Sequence, residues 1–175
     1  TEDLLTYFYE TDKIYVKGKQ FSKAFKSEFL KGQRASKNIK DPETGEYLVK
    51  KGRLFTQKAL KRMVALKIEK IPISLEDILE KAFAHPILDS KSNEPIVKAN
   101  DVLDEDTLEK LKTAGISEFE LLNIDGVSSS DCMRKTLLMD KVESKEEALI
   151  EIYRRMRPGN PATPEVAQDF IVNLF

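Results

Sequence analysis

Cysteine and histidine are nearly absent from this chain. Cys132 is the single cysteine, which excludes an internal disulfide and a thiolate metal cluster. His85 stands equally alone, so histidine-based metal ligation lacks a ligand set. No apolar run approaches the roughly 20 residues that cross a bilayer, and the first residues show no basic-then-apolar secretory pattern. The expectation is a cytoplasmic chain without a membrane partner. There is also no phosphate-binding glycine loop, and no Ser/His/Asp or Cys/His set that one histidine and one cysteine complete. No residue is therefore assigned a catalytic, cofactor-binding or metal-binding role.

What is present is enough apolar material for a core. The 175 residues are 41% hydrophobic, which suits one domain or two small ones and argues against disorder. The net charge of −1 conceals a segregation. Residues 1–73 hold 17 Lys/Arg against 9 Asp/Glu, residues 74–122 hold 5 against 12, and the remainder holds 7 against 9. Such asymmetry steers a polyanion or a charged protein toward one end of a molecule, or else marks two differently solvated surfaces. The chain opens on TEDLL without a methionine and closes on NLF inside an apolar helical pattern, which points to a piece of a longer protein.

An internal repeat organises the middle. Residues 41–73 align without gaps on residues 89–121, with Asp41/Asp89, Glu46/Glu94, Val49/Val97, Lys50/Lys98, Leu60/Leu108 and Ile68/Ile116 identical. The structural punctuation aligns too: a turn at Thr44-Gly45 or Ser92-Asn93, a short strand YLV or PIV, and a second turn at Lys51-Gly52 or Ala99-Asn100. A helix cap follows at Thr56 or Asp104. The next helices place Ala59, Leu60, Met63, Val64 and Leu66, or Leu108, Leu111 and Ala114, on one face, and each leads to a strand, IEKIPI or ISEFELL. A unit this small cannot bury its own helix, so the copies are expected to pack on each other or on the segments around them.

Before the repeat, EDLLTYFY predicts a helix, KIYVKG a strand, and RASKNI a further strand. After it, Ser144 with Glu147 forms a capping box, and Ala148, Leu149, Ile152, Tyr153 and Met156 make an apolar stripe. Pro158, Gly159 and Pro161 stop that helix. Thr163 and Pro164 start another, with Val166, Ala167, Phe170, Ile171 and Leu174 as its stripe. Arg154, Arg155 and Arg157 sit where cations complement the helix dipole, which favours an architectural corner over a DNA grip. The expected fold is α+β, with short strands and helices: two tandem strand-turn-helix-strand modules, then a two-helix corner. The expected division is 1–140, with repeat units at about 41–73 and 89–121, and 141–175.

The acidic run DEDTLE sits at a helix N-terminus, where the dipole favours carboxylates. The basic residues Lys50, Lys51, Arg53, Lys58, Lys61 and Arg62 are the candidates for contact with an acidic partner or DNA; a solvated face is the plainer reading. A second functional reading comes from LEKLKTAGISEFELLNIDGV, which has the outline of a helix-hairpin-helix DNA-binding module with Gly126 in the hairpin. Its spacing is loose, its first helix is acidic, and the repeat accounts for GISEFELL as helix end plus strand. A third reading is an adaptor that shares only the helical corner.

The tail EIYRRMRPGNPATPEVAQDFIVNLF resembles the bacterial RNA polymerase β-subunit family, in which a helix ending in YR.MRPG.P.T turns into one ending in NLF. GEYLVKKGRLFTQKALKRM is similar to another stretch of that family, and MDKVESKEEALIEIYRRMRPG fits its lead into the motif. The resemblance covers essentially the whole chain, most strongly from about Asp140 to Phe175. It implies that residues 1 to about 140 are largely a lineage-specific insertion in lobe 2, with the tail returning into lobe 2 proper. It further implies a wall of the downstream DNA channel and a surface that meets secondary-channel transcription factors. The partners implied are the β′, α, ω and σ subunits and downstream DNA. The family's activity is DNA-templated RNA synthesis, a nucleotidyl transfer whose magnesium is held by the β′ subunit, so this piece alone is expected to be inert.

Overall fold

The computed structural model describes residues 1–89, 94–125, 129–142 and 144–174. They form two compact units, 1–134 and 135–175.

In the first unit, β1 (Thr11–Lys17) and β2 (Gln20–Ala24) form a hairpin turning at Gly18, whose φ of 61° suits a residue without Cβ. With β5 (Lys70–Ile73) and β8 (Glu118–Leu122) they make an antiparallel sheet in the order β5-β2-β1-β8. The registers Phe21↔Ile73, Val16↔Phe21 and Ile14↔Phe119 place these side chains on one face. That face is buried. The other carries Lys13 and Tyr15 of β1, with the Lys13 ammonium 3.3 Å from Glu118 and that of Lys70 stacked 3.5 Å from the Tyr15 ring centre. Alternation of this kind belongs to an antiparallel sheet with one solvated face.

Two modules are strung along this sheet, and they repeat at an interval of 48 residues beyond the limits of the sequence match. α2 (Ser27–Leu30) precedes β3 (Ile39–Lys40), β4 (Tyr47–Val49) and α3 (Gln57–Ala65) in the first. In the second, a turn around Ile78 precedes β6 (Ile87–Leu88), β7 (Pro95–Val97) and α4 (Glu105–Thr113). The pairings correspond one for one: Ile39↔Val49 with Ile87↔Val97, and the bridge Arg34↔Leu54 with Ala82↔Val102. So do the hydrogen bonds, for example Phe55 N–H to Gln33 O and Leu103 N–H to Lys81 O. The turn after β4 or β7 needs a left-handed residue, supplied by Gly52 at φ 78° and by Asn100 at φ 76°. Thr56 and Asp104 cap α3 and α4 by accepting from the N–H groups of Ala59 and Thr107.

Each helix buries the same positions, Leu60 and Met63 in α3 and Leu108 and Leu111 in α4. The first core cluster joins Leu30, Ala35, Val49, Phe55, Leu60 and Met63 to Ile71 of the sheet. The second joins Ile78, Phe83, Val97, Leu103, Leu108 and Leu111 to Ile14, Val16, Phe21, Ile73, Phe119 and Leu121. A fully buried side chain such as Met63 or Leu111 contributes about 1.5–3 kcal/mol of apolar burial. The helix α1 (Glu2–Phe8) adds Leu5 to the interior.

Several sequence expectations change here. RASKNI is not one strand; it holds only the bridge at Arg34 and the start of β3 at Ile39. β2 carries no clear sequence signal, because Phe21 is its single buried residue and Lys23 faces inward. Val64 lies outside the buried stripe of α3, at 54% exposure. The turn at Ser92-Asn93 lies outside the described residues.

The second unit includes most of α5 (Cys132–Met139), then α6 (Lys145–Met156) and α7 (Pro164–Val172). Ser144 caps α6 by accepting from the Glu147 N–H, and Thr163 caps α7 by accepting from that of Val166. The corner closes on Tyr153, whose ring meets Phe170 edge-on at 5.5 Å, and on Ala167. Arg157 ends α6 and lays its guanidinium over Phe170 at 5.4 Å, while Arg155 pairs with Glu151 one turn back. Ile152, Met156, Val166 and Leu174, expected in the stripes, are exposed. Among the described residues no helix is long and apolar enough to cross a membrane.

Candidate functional site

The six basic candidates fall on two elements of the first module. Lys50, Lys51 and Arg53 occupy the turn after β4, all exposed. The backbone of that turn is pinned: Lys51 N–H donates to Asn38 Oδ1 at 2.8 Å, and Arg53 O accepts from Ala35 N–H at 2.9 Å. The side chains extend from this fixed backbone toward solvent. Lys50 and Lys40 flank the Tyr47 ring at 5.5 and 5.1 Å, an aromatic seat that positions both ammonium groups without neutralising them.

Lys58, Lys61 and Arg62 stand three and four residues apart on α3, which makes them neighbours on the helix surface. The structure separates Arg62 from the other two. Its Nη2 lies 3.3 Å from both Asp41 Oδ2 and Glu46 Oε2, tying α3 to the β3-β4 hairpin. Asp41 is buried and also accepts from the N–H groups of Glu43 and Thr44. Chiefly the Glu43 N–H, and further the Arg62 charge, hold this carboxyl below the usual range. Arg62 is therefore an internal tie first. Lys58 and Lys61 are exposed, and neither makes an ion pair among the described residues.

Lys61 also belongs to a feature the sequence does not announce, a groove between α2 and α3. One hollow of ≈ 300 Å³ is lined by Ser27, Glu28, Lys31, Leu60, Lys61 and Val64. A second of ≈ 630 Å³ adjoins it through Ser27, Glu28 and Val64, and extends past Phe25, Phe29, Lys67 and Ile68. Lys31 and Lys61 are thirty positions apart in the chain, so no local pattern brings them together.

The side of α4 that matches Lys58, Lys61 and Arg62, facing its own hairpin and not a groove like that of α2 and α3, is acidic. A hollow against α4 is lined by Asp89, Ile96, Asp106, Glu109 and Lys110, where Asp106, Glu109 and Lys110 replace Lys58, Lys61 and Arg62. Gly126 of the helix-hairpin-helix reading lies outside the described residues, and the stretch before it is the sheet strand β8.

Between the modules, the inner face of the sheet holds a charge network around the buried Asp12. Asp12 Oδ2 lies 3.7 Å from both the Lys23 and Lys81 ammonium groups. Burial pushes the Lys23 ammonium below its usual value, with Asp12 and Asp77 opposing. Burial also raises Asp77, but the hydroxyls of Ser36 and Ser74 and the Ser74 N–H outweigh it, so that carboxyl stays below its usual range. Four charges of two signs serve the fold, locking β1 and β2 to the segment around Lys81. Among the described residues no group of three His, Cys, Asp or Glu is placed to hold a metal ion.

No family model matches the chain. Among known proteins, it is similar to the DNA-directed RNA polymerase subunit beta of Desulfosudis oleivorans, 49% identical over 174 residues, covering 99% of this chain and 13% of the relative. The same subunit of Desulfatibacillum aliphaticivorans is 51% identical over 100% of this chain and 13% of its own length. That of Desulforapulum autotrophicum is 53% identical over 99% of the chain and 12% of its own length. The chain thus spans about one eighth of the length of the relatives it matches. Read from end to end, it belongs to the DNA-directed RNA polymerase β-subunit family, as one segment of that subunit.

Proposed function

We propose that this chain is a structural and regulatory lobe of a DNA-directed RNA polymerase, working within an assembly of β′, α, ω and σ subunits. The observation that carries the reading is the end-to-end similarity to β subunits, at 49–53% identity in the three relatives named. The whole enzyme performs DNA-templated nucleotidyl transfer in the bacterial cytoplasm. Its magnesium chemistry resides in the β′ subunit, and the role of this chain is mechanical and interactive. Residues 1 to about 140 form an insertion carried by lobe 2 beside the downstream DNA channel, and residues 141–175 are the helical part of the lobe itself.

The exposed cations Lys50, Lys51, Arg53, Lys58 and Lys61 form a surface for an acidic transcription factor or for nearby DNA. Support comes from the absence of ion-pair partners for Lys58 and Lys61 among the described residues and from the opposite charge of the matching face in the second module. Surface cations of this kind act chiefly on encounter rate and on salt dependence. The test is the double variant Lys58→Glu/Lys61→Glu in the assembled polymerase, read as the ratio of factor-stimulated to factor-free transcription. A lowered ratio that recovers at raised factor concentration is expected. An unchanged ratio across secondary-channel factors removes the surface from the account.

A further inference from the structure

We infer that the groove between α2 and α3 receives an acidic amphipathic helix from a partner protein. Its floor is apolar: Val64 is 54% exposed at the centre, with Phe25, Phe29 and Ile68 beside it. Lys31 and Lys61 stand on one side of Val64 and Lys67 on the other, and none of the three makes an ion pair among the described residues. Lys26 donates to Thr11 O at 2.8 Å and lies over the Phe29 ring at 5.3 Å, so its charge is fixed at the edge of the same groove. Against these four cations the lining offers two carboxylates, Glu28 and Glu69. An apolar floor with a cationic rim is complementary to a helix that presents aliphatic side chains at i, i+3, i+4 and i+7 and glutamates on its flanks. Nucleic acid would satisfy the rim and leave the floor uncovered.

The second module shows that the groove is not a by-product of the fold. Forty-eight residues on, Lys112 replaces Val64, Glu109 replaces Lys61, Leu79 replaces Lys31 and Gly115 replaces Lys67. Lys112 turns its ammonium over the Phe21 ring at 5.4 Å, so the chain's own aromatic engages a cation where Val64 leaves an apolar side chain exposed. The position that exposes an aliphatic side chain in one copy carries a cation in the other.

The inference rests on the proposal that the basic side of the first module meets a partner, and it names that partner's chemistry. The test titrates the whole 175-residue chain with a fluorescein-labelled helix-forming peptide, leucines at i, i+3, i+4 and i+7 and glutamates elsewhere, followed by anisotropy at two salt concentrations. Saturable binding is expected, weakened roughly tenfold by Val64→Lys, which copies the second module, and by Lys31→Glu/Lys67→Glu. Lys19→Glu, exposed in the β1-β2 turn and part of neither basic surface, is expected to change it less than roughly twofold. Val64 and the three lysines lie outside both core clusters, so circular dichroism of each variant is expected to match the parent. The inference is overturned if Val64→Lys leaves the affinity unchanged, if a peptide with serines for leucines binds equally well, or if a DNA duplex binds the groove in preference to the peptide. A concentration-dependent dimer that Val64→Lys dissolves would assign the groove to a second copy and overturn it too. Peptide binding with these signatures alongside an unchanged factor response of Lys50→Glu/Lys58→Glu, neither of which lines the groove, in the assembled enzyme would sink the basic-surface reading while the groove stands.

Discussion

α3 and α4 occupy the same place in two modules with the same hydrogen bonds, the same left-handed corner and the same buried positions, yet one presents Lys58, Lys61 and Arg62 and the other Asp106, Glu109 and Lys110. The pairs Leu60/Leu108, Met63/Leu111, Val49/Val97 and Phe55/Leu103 are buried in both. A small set of apolar positions, a capped helix start and one φ-positive turn thus suffice to specify the module. The exposed positions of the helix are left free, and the two copies have used that freedom in opposite directions.

The largest test of this equivalence lies in the core. Met63→Ala and Leu111→Ala each remove a fully buried side chain at the same module position and are expected to cost about 2–5 kcal/mol in urea unfolding. Similar costs within one cooperative transition would confirm that both modules belong to one folding unit. Two separated transitions would break the comparison, showing that the first module, joined to the sheet through Ile71, unfolds by itself.

A smaller effect is expected at the corners. Gly52 and Gly115 both hold positive φ, with no heavy atom near where a Cβ would stand, so Gly52→Ala and Gly115→Ala should each cost about 1–2 kcal/mol from backbone conformation alone. Lys67 adopts φ 50° at the position matching Gly115, and Lys67→Gly should raise the thermal midpoint. A fall in the midpoint instead would mean that the Lys67 side chain stabilises the fold in ways that outweigh its strain.

The caps sharpen the contrast further, because one titrates and the other does not. Thr56→Ala should cost about 1 kcal/mol at any pH. Asp104 is held below the usual carboxylate range chiefly by its hydrogen bond to Thr107, so its folded pKa is depressed. Its contribution is complete above about pH 4 and is lost as pH falls through the lower folded value. Asp104→Asn keeps a capping oxygen without the charge and should give a shallower loss of stability below about pH 4. A decline identical to that of the parent would place the acid sensitivity elsewhere, with Asp41 and Asp77 two further depressed carboxyls.

Much of the fold was legible because its signals are local. Caps at Thr56, Asp104, Ser144 and Thr163 lie within three residues of the N–H groups they satisfy, and the repeat showed through because turns and caps recur with it. β2 stayed hidden for a non-local reason: Lys23 points inward to a carboxylate contributed by β1, which reverses the usual polarity of a buried position. Arg62 read as one cation among six, because its partners Asp41 and Glu46 lie 21 and 16 residues away. The groove was equally invisible, since α2 spans four residues and its rim is assembled from chain segments far apart.

By itself, then, the amino-acid order determined the family, the α+β class, the module repeat and the starts of the four capped helices α3, α4, α6 and α7, because each is encoded by short-range spacing of apolar, capping and turn residues. Tertiary structure decided which charges are spent inside the fold and which remain for a partner. That choice depends on distances between residues remote in sequence: 3.3 Å commits Arg62 to Asp41, while Lys61 meets the open edge of a groove.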